Sequence, residues 1–75
     1  MKKYTVIVMP RKDILDPEGK AIRRVARDYL GFDVGEIRVG KYFEIESNAS
    51  RDVIEKLARN ILSNEVVEDY RVIES

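Results

Sequence analysis

The chain has 75 residues, with fourteen basic and fourteen acidic side chains for a formal net charge of zero, and it contains neither cysteine nor histidine. A chain this short is expected to form one domain spanning residues 1–75 and to bury only about 60% of the surface its unfolded form exposes, with no disulfide or histidine-bearing zinc site to staple it. Association with another copy or a larger protein is the means left to complete the interior, and a two-domain enzyme with its active site in a cleft is excluded.

At 44% hydrophobic and 37% charged, the composition is that of a folded protein rather than a disordered one. The longest apolar run, Val6 to Met9, is far short of the roughly 20 residues of a membrane span, and Met1, Lys2, Lys3 and Tyr4 lead directly into a strand rather than a signal peptide. The cytoplasm is the expected compartment. Charge is divided unevenly: residues 1–27 hold eight bases against three acids, a net +5, and residues 28–75 hold six bases against eleven acids, a net −5. Such a division can steer unlike halves of two copies together or present one sign to a partner, or it can be two solvated faces without a role.

Lys3 to Met9 reads as a strand with Tyr4, Val6 and Val8 on one face and Thr5, Ile7 and Met9 on the other. A two-layer domain covers one face of its sheet with helices, so an apolar second face is either partly wetted or covered by another chain. Asp16, Pro17 and Glu18 then open a helix by a carboxylate N-cap, a proline at the first helical position and an acid in the first turn. Ala21, Ile22, Val25, Ala26 and Tyr29 share one side, Gly31 follows as a stop, and Lys20, Arg23, Arg24 and Arg27 form a basic stripe on the opposite side. That stripe suits solvent, salt bridges within an assembly, or an anionic partner.

From Glu36 to Glu46 apolar and polar residues alternate with period two. A three-residue turn centred on Gly40 and a single bent strand of about eleven residues both preserve the parity, whereas a two-residue turn at Gly40 and Lys41 does not. Ser47 to Ser50 form a polar loop capping a second helix, Arg51 to Leu62, with Val53, Ile54, Leu57, Ala58, Ile61 and Leu62 on its apolar side and i,i+4 pairs Asp52–Lys56 and Glu55–Arg59 on its outer face. Asn64 is the expected stop, and Val66 to Ile73 the last strand after an acidic approach. The fold class is therefore α+β, a two-layer sandwich of β-α-β-β-α-β order. Two helices cover one face of an antiparallel sheet, and the other face is available for oligomerisation.

Group transfer needs a nucleophile with a base beside it, and the usual base and the best nucleophile are both missing; there is no glycine-rich phosphate loop, and no carboxylate pair is forced into one pocket. The chain is expected to hold no catalytic residue, cofactor or metal of its own. The same fold plan serves RNA-binding modules, but Lys41-Tyr42-Phe43-Glu44-Ile45-Glu46 lacks the inner glycine of their aromatic motif and sets Glu44 and Glu46 beside Tyr42. Nucleic acid is not an expected partner. A small-ligand regulatory module binding an amino acid at a dimer interface is the alternative reading from a different class.

Three segments carry a more specific likeness. Leu15-Asp16-Pro17-Glu18-Gly19-Lys20-Ala21 resembles the L-D-P-x-G-K-A run of the PurS family, the small subunit of phosphoribosylformylglycinamidine synthase. Arg38-Val39-Gly40-Lys41-Tyr42 resembles that family's R-x-G-K-Y segment, and Asn64-Glu65-Val66-Val67-Glu68-Asp69-Tyr70 resembles its N-P-V-I-E-D-Y ending, with Glu65 where the family commonly has proline. The resemblance implies an assembly subunit of a glutamine-hydrolysing, ATP-dependent ligase of purine biosynthesis. Such a subunit, a homodimer or tetramer, bridges the glutaminase to a synthetase that holds ATP and magnesium, so that ammonia reaches formylglycinamide ribonucleotide. Exposure and the matching segments together make Arg38, Gly40, Lys41, Tyr42, Glu68, Asp69 and Tyr70 the expected subunit contacts.

Overall fold

Alternation along the first strand sets the frame. In the computed structural model, which describes residues 1–75, β1 (Lys2–Pro10) buries Tyr4, Val6 and Val8 almost completely on one face and leaves Thr5, Ile7 and Met9 half-buried on the other. β1 is the most apolar strand and takes the centre, with β2 (Lys41–Ser47) and β3 (Glu68–Glu74) antiparallel on either side in the order β2-β1-β3. The register places Val6 between Phe43 and Val72, Tyr4 between Ile45 and Glu74, and Val8 between Lys41 and Tyr70. Over this face lies α2 (Arg51–Leu57), continued by a π-helical turn, Ala58–Leu62, and it seats Ile54 and Ala58 against the strand residues. Together Tyr4, Val6, Val8, Ile54, Ala58 and Val72 are the whole core.

The wide turn that ends the second helix has a local cause. Both the backbone N–H and the hydroxyl of Ser63 donate to the Ala58 carbonyl, at 2.9 and 2.8 Å, and so draw five residues into one loop of helix. Asn64 then acts as the expected stop: its carbonyl accepts from Val67 and Glu68, its side chain accepts from Val66, and its own N–H donates to Glu68 Oε1. These bonds fold residues 64–67 into a turn, so β3 begins at Glu68 rather than at Val66. On α2 the ion pair is Arg51–Glu55 at 3.4 Å, not Asp52–Lys56 or Glu55–Arg59, because Arg51 also reaches the Val72 carbonyl and is held beside Glu55.

The α+β class and the order of elements match the expected plan, but residues 36–40 form no strand: the middle portion is the single seven-residue strand β2, neither a hairpin nor a strand of about eleven residues. Gly40 permits the passage into β2, since a Cβ there would fall on the Met9 side chain and the Val8 carbonyl.

The first helix, α1 (Pro17–Leu30), begins and ends as the sequence predicts. The Asp16 side chain accepts from Gly19 N at 2.9 Å, Pro17 opens the helix, and Gly31, at φ 79°, donates to the Arg27 carbonyl. Its placement differs from the expected layer. α2 alone covers the sheet, and the apolar side of α1 is in solvent, with Val25 68% and Tyr29 87% exposed. Two tethers hold α1 to the segment that follows it: Arg23 to Asp33 in a bidentate pair at 2.6 and 3.0 Å, and Asp16 to Val39 N at 2.8 Å. Helix and return segment thus project together as an arm. The radius of gyration is 15.5 Å, against about 11 Å for a compact chain of this length, and the molecule measures 48 × 25 × 13 Å.

Candidate assembly surface at the end of the central strand

The last three residues of β1 gather the segments that sequence analysis singled out. Lys41 and Tyr70 flank Val8, Asp69 lies opposite Met9, Glu68 lies opposite Pro10, and the Arg38 guanidinium donates to the Pro10 carbonyl. Gly40 passes against Met9. Six of the seven expected contact residues therefore meet at one end of the sheet. Tyr42 is one position further along β2, opposite Ile7, on the same sheet face as Asp69, and 63% exposed.

Their environments separate them. Tyr70 is half-buried and packs on the chain's own core, and Glu68 is half-buried with its carboxylate on the Asn64 N–H. Arg38 is partly withdrawn from solvent, with Glu36 at 3.6 Å from its Nε. These three hold the end of the sheet together. Gly40, Lys41, Tyr42 and Asp69 are exposed. Beside them is a shallow groove of about 380 Å³, whose lining includes Pro10, Leu15, Pro17, Gly40, Lys41 and Glu68.

Arg11 and Asp16 organise this end and were not among the expected contacts. The Arg11 guanidinium donates to the Glu65 carbonyl at 2.6 Å and lies 3.6 Å from Asp69 Oδ1, and its backbone N–H donates to the Val67 carbonyl, so the turn 64–67 is pinned to the strand end. Asp16 caps α1 and also takes the Val39 N–H; these two backbone donors, Gly19 first and Val39 second, lower its carboxyl below the usual value. The N-cap role is visible in the sequence Asp16-Pro17-Glu18. The second bond joins positions 23 residues apart, and no local pattern announces it.

Electrostatics along the arm also depend on distant partners. The Arg23 guanidinium, with the Gly35 N–H, holds the Asp33 carboxyl at about 2, and the same ion pair raises Arg23. One member of the basic stripe is thereby neutralised by a residue ten positions away, and Lys20, Arg24 and Arg27 remain without an ion-pair partner. No group of three or more carboxylates is placed to hold a metal ion. What this end of the sheet offers is mixed charge, one exposed tyrosine on the face of Asp69 and backbone fixed by long-range hydrogen bonds, which are the ingredients of a protein-contact surface.

Comparison with known proteins agrees in sequence and in fold. A family model described as "PurS: Phosphoribosylformylglycinamidine (FGAM) synthase" matches residues 3–75. The phosphoribosylformylglycinamidine synthase subunit PurS of Thermotoga maritima is 34% identical over 96% of this chain and 94% of its own length. The structure of Bacillus subtilis PurS superposes with a TM-score of 0.87 at 32% identity, covering 100% of this chain and 99% of that one. A chain in the structure of PurLQS from Thermotoga maritima superposes with a TM-score of 0.78 at 30% identity, covering 99% and 96%. With residues 3–75 matched in sequence and the full chain in fold, the chain belongs to the PurS family of phosphoribosylformylglycinamidine synthase.

Proposed function

We propose that the chain, as the PurS subunit of FGAM synthase in purine biosynthesis, acts as a non-catalytic bridge. In this reading it joins a PurQ-type glutaminase to a PurL-type synthetase, so that ammonia released from glutamine reaches formylglycinamide ribonucleotide without escaping into solvent. ATP and magnesium belong to the synthetase partner, and this chain works as a homodimer or tetramer. The observation that carries the reading is the full-length likeness to a chain of PurLQS, a structure whose name joins three subunits.

The physical chemistry of the chain supports it. A flat, elongated body 48 Å long and 13 Å thick has much contact area for its volume. Its contribution to turnover is then proximity: ammonia delivered within an assembly is used at an effective concentration that free ammonia does not reach. The exposed residues at the end of the sheet, Gly40, Lys41, Tyr42 and Asp69, the last two on the sheet face of Ile7 and Met9, are the proposed contacts. Arg38, Glu68 and Tyr70 set the backbone that presents them.

Reconstitution tests this. With synthetase and glutaminase present, omitting the chain is expected to abolish glutamine-dependent amidine formation while leaving turnover on added ammonium salt intact. Glutamine-dependent turnover unchanged by the omission refutes the bridging role.

A further inference from the structure

We propose that Lys20, Arg24 and Arg27 on α1 form a docking stripe for an acidic surface on one of the two larger subunits, a second contact surface separate from the one at the end of the sheet. The inference rests on the bridging reading and deepens it, since two different partners are told apart by surfaces of different chemistry.

The stripe is a single row. At 100° per residue the three side chains fall within an arc of about 60°, and the helix rises about 10 Å from Lys20 to Arg27. All three are exposed. Ile22, Val25 and Tyr29 lie on the far side of the helix, so whatever covers them leaves the stripe at the outer surface.

Nothing in its own chain neutralises the row. Arg23, on the same helix, is drawn aside by its bidentate pair with Asp33. Asp28, four residues after Arg24, forms no ion pair with any of the three. Residues 28–75 carry eleven acids against six bases, yet α1 projects away from the strands and α2, which hold most of those acids. Lys20 and Arg24 at i,i+4 and Arg24 and Arg27 at i,i+3 therefore repel one another in the free chain, and an acidic partner turns that repulsion into attraction.

The chemistry of the row selects protein carboxylates as the occupant. Two of its three members are arginines, whose planar guanidinium takes a carboxylate through two parallel hydrogen bonds. A nucleic-acid footprint asks for a broad basic patch and an excess of positive charge, whereas this row is one helix face wide, has Asp28 beside it and belongs to a chain of zero net charge. The complementary surface is a row of carboxylates about 10 Å long, which orients the partner and speeds its encounter.

Calorimetric titration of the full chain into the synthetase, and separately into the glutaminase, reads the contact. At about 50 mM salt one of the two is expected to bind the wild type roughly tenfold or more tightly than Lys20→Glu/Arg24→Glu/Arg27→Glu, while the other binds both chains alike. For the first subunit, wild-type affinity is expected to fall as salt rises to about 0.5 M and the variant's to change less. That salt dependence, with the milder Arg24→Gln/Arg27→Gln, decides the matter if the triple variant does not fold. A wild-type chain that binds neither subunit overturns the bridging reading and this inference with it. A wild-type chain that binds while the variants bind as tightly at every salt concentration overturns this inference alone. So does a variant whose sedimentation mass drops below that of the wild type, which assigns the stripe to contacts between copies, or one that keeps both subunits and loses a gel-retarded complex with single-stranded RNA.

Discussion

Replacing Ile54 by alanine tests how the small core is held together. Ile54 is 2% exposed and, with Ala58, is one of two helical residues in the six-residue core. The substitution removes three buried carbons, worth roughly 2.4 kcal/mol at about 0.8 kcal/mol each, and the cavity under α2 adds to this, for a loss of about 3 kcal/mol. A chain of 75 residues has a total stability on the order of 4–11 kcal/mol, and so thin a core belongs at the lower end. Urea unfolding followed by far-ultraviolet circular dichroism should therefore show the midpoint falling by about 2–3 M at a slope of roughly 1–1.5 kcal/mol per molar, with the slope unchanged. Lys56→Ala on the exposed side of the same helix is the control, with a change within about 0.5 kcal/mol. A loss below about 1 kcal/mol for Ile54→Ala, indistinguishable from the control, would mean that α2 is not seated on the sheet.

Gly19→Ala should destabilise the chain although alanine is the better helix former by about 1 kcal/mol, because its Cβ would fall on the Ile37 carbonyl and lie 2.8 Å from Asp16 Oδ2; thermal melting checks the sign, and a raised midpoint would show that the helix start is free of the 36–39 segment. The Asp33 carboxyl, held at about 2 against an ordinary 3.8, contributes stability that is fully present above pH about 4 and is lost as pH falls through 2. Carboxyl carbon shifts in an NMR titration should place its midpoint at about 2 and return it toward 3.8 in Arg23→Gln; a midpoint indifferent to that substitution rejects the ion pair as its cause.

Local chemistry makes most of the elements legible in the sequence. Asp16, Pro17 and Gly31 bound α1 through their own conformational and hydrogen-bonding preferences, and the alternation of Tyr4, Val6 and Val8 fixes which face of β1 is buried whatever the strand pairs with. The three segments at 15–21, 38–42 and 64–70 are likewise readable, and all of them meet near the end of β1 or at the start of α1. Less legible is what each residue does there. Arg11 and Asp16 act through partners 54 and 23 residues away, and Tyr70 packs inward while Tyr42 faces out on the other side of the sheet.

Sequence by itself determined the class of the fold, the limits of α1 and the buried face of the sheet, because caps, glycine conformations and period-two burial are properties of neighbouring residues. Tertiary structure decided that the strand begins only at Lys41, just past the close approach of Gly40 to Met9, and decided the direction of α1, through Arg23–Asp33 and Asp16–Val39. An amphipathic pattern records that a helix has an apolar side to bury. It does not record against which surface, since the same side chains satisfy the same hydrophobic free energy on their own sheet or on another chain.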